Sequence, residues 1–371
     1  MPSSVADPED EDRRLPDTPY LAVDRAVLER NLAASAARAR ARGVAWRPHA
    51  KTHKSLAIGR LQLQHGAVGL TLATVGEAEI FAAGGFDDLF LAYPIWAAGR
   101  RADRLRALAD AVALRVGVDS VAGADQLAEA LRGAPVEVVV EVDSGHHRTG
   151  VDPRAAGELA SHAVRRGLAV AGVFTFPGHA YAPGAREGAA ADEARALDVA
   201  ARALVAVGVD PRVRSGGTSP VDYLPLDDQP SLEFPITETR PGVSTFGDAQ
   251  QVELGSTDVA DCALTVVATV VHARHGEAVL DAGSKVLSTD RAAWATGHGR
   301  LPAHPQARVV ALSEHHATVV FGEGSVPAVG SRVRVAPNHV CTSINLVDRL
   351  VVVEGDEVVD TWPVDARGAN S

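Results

Sequence analysis

The feature that most constrains this chain is a regular alternation of short apolar segments with Ala-, Leu-, Arg- and Glu-rich segments of helical length. Eight candidate strands are found at 44–47, 69–73, 88–93, 113–118, 136–142, 169–174, 212–215 and 236–240. Most are β-branched, as expected of a parallel sheet that is buried on both faces. Eight strand–helix units in about 220 residues match the size of a closed (β/α)₈ barrel. We therefore predict an α/β barrel over residues 24–250, with a doubly wound sheet as the alternative.

The pattern changes after about residue 250. Segments such as 262–273 (CALTVVATVVHA) and 349–364 (RLVVVEGDEVVDTWPV) are predicted strands, separated by Gly, Pro and Asp turns and by no convincing helix. We expect an all-β domain over residues 251–371, joined by an early strand at 19–23. Residues 1–18 are acidic and Pro-rich, and they are predicted to form a disordered tail.

Charge and cysteine content exclude several classes of function. The formal net charge is −11, which disfavours nucleic acid and anionic membranes as partners. Cys262 and Cys341 are the two cysteines, so a disulfide framework is not expected and a reducing cytoplasm fits. The N-terminus has no apolar core of a signal peptide, and no window approaches the roughly 18 apolar residues of a membrane helix.

A cluster of basic residues follows the first barrel strand, in the sequence WRPHAKTHKS at 46–55. Alternation along a strand puts Arg47, His49 and Lys51 on one face, at the strand end where barrel active sites lie. A lysine among cationic neighbours in a dry site loses its proton easily and can form a Schiff base. Lys54 lies beyond the strand and is interpreted as a solvated lysine. A basic surface turn without a function is the alternative.

Two loops after later strands carry further candidates. Glu141, Asp143 and Arg148 follow the fifth strand, where the arginine can hydrogen-bond a phenolate oxygen or a carboxylate. His179 and Tyr181 follow the sixth strand in a Gly-containing loop. A strand-end ion pair and a merely exposed histidine are the alternative interpretations.

Glycine-rich loops follow the seventh and eighth strands. They contain Ser215, Gly216, Gly217 and Thr218 in the first loop and Gly242 in the second. Backbone N–H groups and hydroxyls of such loops can bind a phosphate, and phosphate sites after strands seven and eight recur in barrels. Turns need glycine in any case, so each loop alone is weak evidence.

The predicted β domain contains His339-x-Cys341. On a strand, residues i and i+2 point the same way, so an imidazole and a thiolate there can bind one metal ion, and Zn²⁺ favours that pair. Two protein ligands leave positions open for water or substrate. A coincidental pair is the alternative.

These motifs together resemble the fold-type III pyridoxal-phosphate enzymes of the D-serine dehydratase and D-threonine aldolase family, relatives of alanine racemase. The similarity runs from residue 19 to about 350 and includes RPHAKTHK, VEVDSGHHRTGV, SGGTSP, TETRPG and PNHVC. The chain departs from the family pattern at Phe176, where a histidine or tyrosine is frequent, and at His315, where many relatives have a glutamate.

The resemblance implies roles for individual residues. Lys51 would carry pyridoxal 5′-phosphate, and Arg148 would contact its phenolic oxygen. Arg240 would lie near the pyridine ring, and His339 with Cys341 would bind Zn²⁺, Mn²⁺ or another divalent ion that engages the substrate's β-hydroxyl. The phosphate would be held by Gly216, Gly217, Thr218, Gly242 and Val243. The resemblance also implies a homodimer.

The tyrosines bear on the reaction. Alanine racemases use a tyrosine of the β domain as second base, and we expect none of the four tyrosines here to lie in that domain: Tyr20, Tyr93, Tyr181 and Tyr223. Two-base racemisation is therefore not expected. The remaining expectation is a lyase acting on small-molecule D-β-hydroxy amino acids.

Two lyase reactions are open. In the favoured β-elimination, Lys51 removes the α-proton and D-serine gives pyruvate and ammonia. In the alternative retro-aldol cleavage, a base such as His179 deprotonates the β-hydroxyl, which gives glycine and an aldehyde. A non-catalytic pyridoxal-phosphate carrier and a cofactor-free sugar-phosphate barrel enzyme are two further candidates, each from a different functional class.

Overall fold

The computed structural model describes residues 15–224, 232–322 and 324–371. Most of the predicted acidic tail, residues 1–14, lies outside the described residues. The chain divides into two compact units, which we call the barrel unit and the β unit. The barrel unit comprises Glu29–Thr245, Gln251–Thr257 and Val364–Ser371, and the β unit comprises the segment ending at Leu28, Phe246–Gln250 and Asp258–Pro363. The C-terminal segment 364–371, expected in the β domain, thus groups with the barrel.

The first described strand, β1 (Tyr20–Asp24), belongs to the β unit. The barrel unit contains a parallel sheet of eight strands within the described ranges. They are β2 (Ala45–Trp46), β3 (Leu70–Leu72), β4 (Asp88–Pro94), β5 (Ala113–Val118), β6 (Val136–Glu141), β7 (Ala169–Phe174), β8 (Val213–Gly216) and β9 (Glu238–Thr239). Their order is β2-β9-β8-β7-β6-β5-β4-β3. Backbone hydrogen bonds of 2.9 Å, from Thr71 to Pro48 and from Val68 to Trp46, join the two ends. The predicted (β/α)₈ barrel is confirmed.

Helices connect these strands. They are α1 (Arg25–Ala41), α2 (Leu56–Gln64), α3 (Val75–Ala83), α4 (Arg100–Ala111), α5 (Val121–Ala130), α6 (Ala156–Arg165), α7 (Arg186–Ala206) and α8 (Ser219–Asp222), and α9 (Ala249–Glu253) follows the barrel strands. The start of α3 shows why they begin where they do. Thr74 Oγ1 accepts the N–H of Glu77 at 3.0 Å, and the Glu77 carboxylate accepts the N–H of Ala73 at 2.8 Å. Two N–H groups at the helix start are thereby satisfied, as in a capping box.

The interior of the barrel is filled with side chains. Phe90, Val139, Ala171, Phe174 and Val213 form one buried cluster, in which the two phenylalanine rings meet edge to face at 5.2 Å. A larger aliphatic cluster packs the outer faces of the strands against the helices. The packed interior of the barrel therefore holds the loops at the carboxyl ends of its strands in place.

The β unit contains a mixed sheet of nine strands in the part of the chain that the structure describes. After β1 come β10 (Leu264–Arg274), β11 (Glu277–Leu280), β12 (Gly299–Arg300), β13 (Arg308–Leu312), β14 (Ala317–Val320), β15 (Arg332–Pro337), β16 (Arg349–Glu354) and β17 (Glu357–Pro363). β1 lies between β10, to which it is antiparallel, and β16, to which it is parallel.

The expectation of no helix in this region is wrong in detail. Two short helices occur there, α10 (Ser284–Leu287) and α11 (Val340–Ile344), both too brief to show a helical period in the sequence. Among all described residues, no helix combines the length and hydropathy required to cross a membrane.

Candidate active site

Lys51 lies in a 3₁₀ turn, Ala50–Thr52, that follows β2. The preceding His49 accepts the backbone N–H of Lys51 on its Nδ1 atom at 3.4 Å. Burial, followed by the charges of Lys51 and Arg240, holds the pKa of His49 well below its usual value. His49 is therefore a neutral imidazole beside the lysine at neutral pH, and it orders the turn without adding charge.

Lys51 is one of only three lysines in the sequence, with Lys54 and Lys285. Lys54 is 5% exposed, and its amino group lies 2.9 Å from Asn370 Oδ1 and 3.3 Å from the Glu77 carboxylate. The interpretation of Lys54 as a solvated lysine is therefore wrong. Its partner Asn370 lies near the end of the chain, which sequence spacing cannot reveal.

Arg47 is also placed differently from the expectation. It is 2% exposed, and its guanidinium binds Glu238 at 2.7 Å and both carboxylate oxygens of Asp88 at 2.8 and 3.0 Å. Both carboxylates belong to the first residues of barrel strands, β9 and β4. The charge of Arg47 is thus neutralised inside the barrel, so Arg47 is not a cationic neighbour that activates Lys51.

The ring of Phe176 is surrounded by side chains of the loops that follow β2, β6 and β7. In the sequence, this residue stands out only as a departure from a pattern. The Lys51 Nζ atom lies 5.8 Å from its ring centre, and the Arg148 guanidinium lies 4.9 Å from it. The rings of His146 and Tyr181 lie 5.5 and 6.4 Å away. These residues follow β2, β6 and β7, so the structure brings the predicted Lys51 and Arg148 together around an aromatic face that sequence reasoning did not use.

Two carboxylates at the carboxyl end of β6 have different roles, Glu141 as the last residue of the strand and Asp143 in the loop after it. Asp143 accepts backbone N–H groups from Gly145 at 2.8 Å and His147 at 3.0 Å, so it shapes the loop. Glu141 is 3% exposed, accepts the Thr149 hydroxyl at 2.9 Å, and has a buried Oε2 atom without a hydrogen-bond partner among the described residues. Burial raises the pKa of Glu141 to about 7, against the opposing effect of the Thr149 hydrogen bond.

His179 lies in the loop after β7, in a 3₁₀ turn. Its Nε2 atom is 3.4 Å from the Asp192 carboxylate, and neither ring nitrogen makes a hydrogen bond to a described residue. A Cβ atom on Gly145 would lie 3.2 Å from the imidazole, so the two loops pack closely. The carboxylate gives His179 the partner that a basic imidazole requires.

The predicted phosphate loop separates into residues with distinct environments. The Ser215 hydroxyl donates to Glu238 at 2.7 Å and accepts from Arg240 Nε at 2.8 Å, so it is engaged inside the barrel. Gly217 has a φ of +87°, which favours glycine. The Thr218 hydroxyl is buried and has no hydrogen-bond partner among the described residues. An orphaned buried hydroxyl of this kind fits a missing polar ligand such as a phosphate.

The loop after β9 packs against the lysine turn. A Cβ atom on Gly242 would lie 2.5 Å from Thr52 Oγ1, so no side chain fits there. Val243 is buried and begins a 3₁₀ turn, and the N–H of Ser244 binds Ser219 Oγ at 3.0 Å. The two predicted phosphate loops are therefore joined to each other, and the second also contacts the Lys51 turn.

Arg240 lies beneath these loops with its guanidinium buried. Its charge is 5.6 Å from the ring of Phe90 and 5.4 Å from the ring of Phe174, and it donates to the Thr175 carbonyl. Burial lowers the pKa of Arg240, while the carboxylates of Glu238, Glu193 and Glu141 oppose that effect.

The predicted metal pair lies in the β unit. His339 precedes α11 and Cys341 is in its first turn, so the strand geometry assumed for this pair is wrong. The two side chains nevertheless interact, and His339 Nδ1 lies 2.7 Å from Asp290 Oδ2. Burial opposes protonation of His339, but Cys341, Asp290 and Asp248 together raise its pKa well above the usual value.

A carboxylate that orients an imidazole is typical of histidines that bind metals, and imidazole with thiolate suits Zn²⁺. Within the described residues, no cluster of three or more His, Cys, Asp or Glu side chains has the arrangement of a metal site. Asp290 was missed because 49 residues separate it from His339.

Comparisons with known proteins agree with these motifs. The alanine racemase N-terminal domain model matches residues 23–250, and the putative serine dehydratase domain model matches residues 263–353. D-threo-3-hydroxyaspartate dehydratase of Delftia sp. is 32% identical over 375 residues, which cover 93% of this chain and 96% of that enzyme. The chain belongs to the D-serine dehydratase-like branch of the alanine racemase fold family. It is an enzyme of this group of pyridoxal-phosphate-dependent lyases.

Further relatives match either most of the chain or part of it. D-threonine aldolase of Arthrobacter sp. is 32% identical over 95% of this chain and 93% of that enzyme. An uncharacterized protein of Mycobacterium tuberculosis is 57% identical over 131 residues, which are 34% of this chain and 98% of that protein. The solved structure of the Delftia dehydratase has a TM-score of 0.85 at 31% identity, covering 94% of this chain and 97% of that one. Alanine racemase of Clostridium difficile, at 13% identity and a TM-score of 0.66, shares the fold.

The second departure from the family pattern, His315, lies in an exposed loop. Its neighbour Glu314 forms a surface ion pair of 2.7 Å with Lys285. The third lysine of the chain is therefore engaged on the surface of the β unit.

Proposed function

We propose that this protein is a lyase that uses pyridoxal phosphate and a divalent metal ion, acts on D-β-hydroxy amino acids and removes the β-hydroxyl by β-elimination. The observation that carries the proposal is the position of Lys51. Lys51 follows β2 at the rim of the barrel, where its Nζ atom and the Arg148 guanidinium lie 5.8 and 4.9 Å from the ring centre of Phe176. Lys51 is therefore the residue we propose to carry the cofactor.

The cofactor fits the residues of the barrel unit. The phosphate would be held by the Thr218 hydroxyl, which has no partner among the described residues, and by the backbone of Gly216, Gly217, Gly242 and Val243. Arg148 would bind the phenolic oxygen, and Arg240 would support the ring from below. Pyridoxal phosphate supplies an electron sink for negative charge at the α-carbon of the substrate.

Ser215 is not among the residues that we propose to hold the phosphate. Its hydroxyl is already engaged by Glu238 and Arg240, at 2.7 and 2.8 Å. We propose instead that Ser215 positions Arg240 beneath the ring.

His339 and Cys341 are proposed to hold Zn²⁺ or another divalent ion such as Mn²⁺, with Asp290 orienting the imidazole. Such an ion supplies Lewis acidity to the departing β-hydroxyl. Two solved structures of the Delftia dehydratase support this, since one is a cysteine-to-alanine mutant in the metal-free form and the other a histidine-to-alanine mutant.

In the proposed reaction, the amine of Lys51 accepts the α-proton of the substrate. The neutral His49 beside it leaves this amine without a second positive charge from that side. Arg148 and Phe176 define one wall of the site, and the ring centre of Phe176 lies 5.8 Å from the Lys51 Nζ atom. The β-hydroxyl then leaves with a proton as water, and hydrolysis of the resulting enamine by water gives a keto acid and ammonia.

Racemisation of the alanine racemase type needs a second base, and Tyr20 is the tyrosine to consider for it. Tyr20 lies in β1 and hence in the sheet of the β unit, so the expectation that the tyrosines lie outside the β domain is wrong. Its ring packs with Ala22, Val267, Val351 and Val353 in an apolar cluster. Tyr20 is therefore used for packing, and we still propose a lyase.

Retro-aldol cleavage is the second candidate, because His179 has a carboxylate partner, Asp192, at 3.4 Å. Deprotonation of the β-hydroxyl by His179 would break the Cα–Cβ bond. The homodimer and a reducing cytoplasmic location remain parts of the proposal, the latter because neither cysteine forms a disulfide.

The test is incubation of the purified protein with D-serine and D-threonine, before and after chelation and metal replacement. Pyruvate or 2-ketobutyrate with ammonia supports elimination, and glycine with acetaldehyde supports the aldol reaction. Cys341→Ala is expected to lose bound zinc and activity, whereas the matched control Cys262→Ala keeps both. Metal-independent turnover by Cys341→Ala would refute the metal role.

A further inference from the structure

The carboxyl group of Glu193 is a buried titratable group that the proposed reaction does not use. Glu193 lies in the first half of α7, is 1% exposed, and accepts the backbone N–H of Gly217. A Cβ atom on Gly216 would overlap the same carboxyl group. Glu193 therefore fixes the Gly216–Gly217 turn from the side of the helix, and it leaves no room for a side chain on the first of these glycines.

A carboxylate in this position is unusual for a loop that binds an anion. Burial of an ionised group is costly, and a phosphate beside it adds repulsion. The N–H of Gly217 is already used by Glu193. A phosphate at this loop would consequently rely on the orphaned Thr218 hydroxyl and on the turn at Gly242 and Val243.

We propose that Glu193 is the positioning residue of the cofactor phosphate site: its carboxyl group holds the Gly217 N–H and so directs the phosphate to Thr218 and the Gly242–Val243 turn. This inference rests on the proposed function. The inference corrects one part of that function, because the backbone N–H of Gly217 is assigned to Glu193 and not to the phosphate.

The electrostatic surroundings of Glu193 support this role. Burial raises its pKa to about 7, although the Gly217 N–H and the charges of Arg240 and Arg42 favour the ionised form. Arg42 is the charged group that faces Glu193 from the end of α1, and Arg240 is the one that faces it from the loop after β9. A phosphate dianion favours the protonated carboxyl, so its binding above pH 7 takes up a proton. The affinity for phosphate then falls as the pH rises through 7.

The test compares cofactor binding by the wild type, Glu193→Gln and Glu193→Ala, using the full chain freed of cofactor with hydroxylamine. The dissociation constant for pyridoxal phosphate is measured by absorbance at pH 6.5 and pH 8.5. Asp198→Asn is the matched control, because Asp198 is a buried carboxylate of the same helix that accepts a backbone N–H from Phe234 at 2.9 Å. The titration of Lys51 and of the phosphate is common to all variants and cancels in the ratios.

We expect the wild-type dissociation constant to rise between pH 6.5 and pH 8.5 by roughly sixfold more than that of Glu193→Gln, as a one-unit rise in pKa from about 7 requires over this range. Asp198→Asn follows the wild type. At pH 6.5, the dissociation constant of Glu193→Gln stays within about threefold of the wild-type value, because the side-chain amide of the glutamine still accepts the Gly217 N–H. Glu193→Ala has no acceptor there and binds the cofactor at least about tenfold more weakly. Parallel pH profiles for the wild type and Glu193→Gln overturn the proposal.

A second measurement covers the case in which Glu193→Gln does not fold. Calorimetry of wild-type protein with pyridoxine 5′-phosphate, in buffers of different ionisation enthalpy at pH 8, counts the protons taken up without a covalent link to Lys51. Uptake of a substantial fraction of one proton supports the role of Glu193, and no uptake contradicts it. Failure of the wild type to bind either compound overturns both this inference and the proposed function, whereas binding without pH linkage overturns this inference alone.

Discussion

Lys54 gives the most direct test of the packing around the lysine turn. Its amino group lies 3.3 Å from the carboxylate of Glu77, which is 1% exposed, and 2.9 Å from Asn370. Lys54→Ala leaves the Glu77 charge buried and without its cation, so we expect a loss of about 3–5 kcal/mol in the free energy of unfolding. Lys285→Ala is the control, since the ion pair of Lys285 with Glu314 is exposed and worth at most about 1 kcal/mol.

Urea denaturation followed by circular dichroism measures both values. The double variant Lys54→Met with Glu77→Gln removes both charges, and we expect it to recover at least half of the loss, because a buried pair can be replaced by neutral groups. The cofactor absorbance of Lys54→Ala at low urea should persist, since Lys54 does not carry the cofactor. A stability of Lys54→Ala equal to that of Lys285→Ala would refute the buried ion pair.

Three further variants test the site. Ser215→Ala removes the acceptor of the Arg240 Nε–H at 2.8 Å, and we expect a loss of about 1–3 kcal/mol in the free energy of unfolding, measured by thermal denaturation. Gly242→Ala places a methyl group 2.5 Å from Thr52 Oγ1, so cofactor affinity measured by absorbance should fall at least about tenfold. The folded-state pKa of Glu141 is about 7, above its unfolded value, so the folded state binds the extra proton and stability falls as the pH rises towards 7. Glu141→Gln should flatten that fall in urea midpoints between pH 5.5 and 8, and an unchanged slope would contradict the buried carboxyl.

The barrel and the lysine could be predicted from the sequence because they depend on local patterns. Eight buried strands produce a visible periodicity, and the carboxyl ends of parallel strands meet at one rim whatever the details of packing. Lys51 follows the first of these strands by a few residues, and Gly242 follows the last. Their proximity is a consequence of closure, since β2 and β9 are neighbours in the sheet.

The remaining features depend on contacts between distant segments. Lys54 is buried because Asn370, 316 residues away, returns to the barrel. Glu193 reaches Gly217 from a helix, and Asp290 reaches His339 across 49 residues. Strand spacing places Ser215 near the loop, but it does not show that the Ser215 hydroxyl points to Glu238.

Phe176 shows a different limit. A phenylalanine in a loop carries no chemical signal of its own, and only the structure shows that Lys51, Arg148, His146 and Tyr181 surround its ring. The two short helices of the β unit were missed because four or five residues are fewer than two helical turns.

The central claim is that Lys51 carries pyridoxal phosphate, and borohydride reduction followed by peptide mapping tests it most directly. With three lysines in the sequence, the outcome is unambiguous. We predict that the purified yellow protein is bleached by borohydride and that the phosphopyridoxyl label is found on the peptide containing Lys51, in about one equivalent per chain. A label on Lys54 or Lys285, or a colourless protein that still cleaves D-serine or D-threonine, would contradict the account.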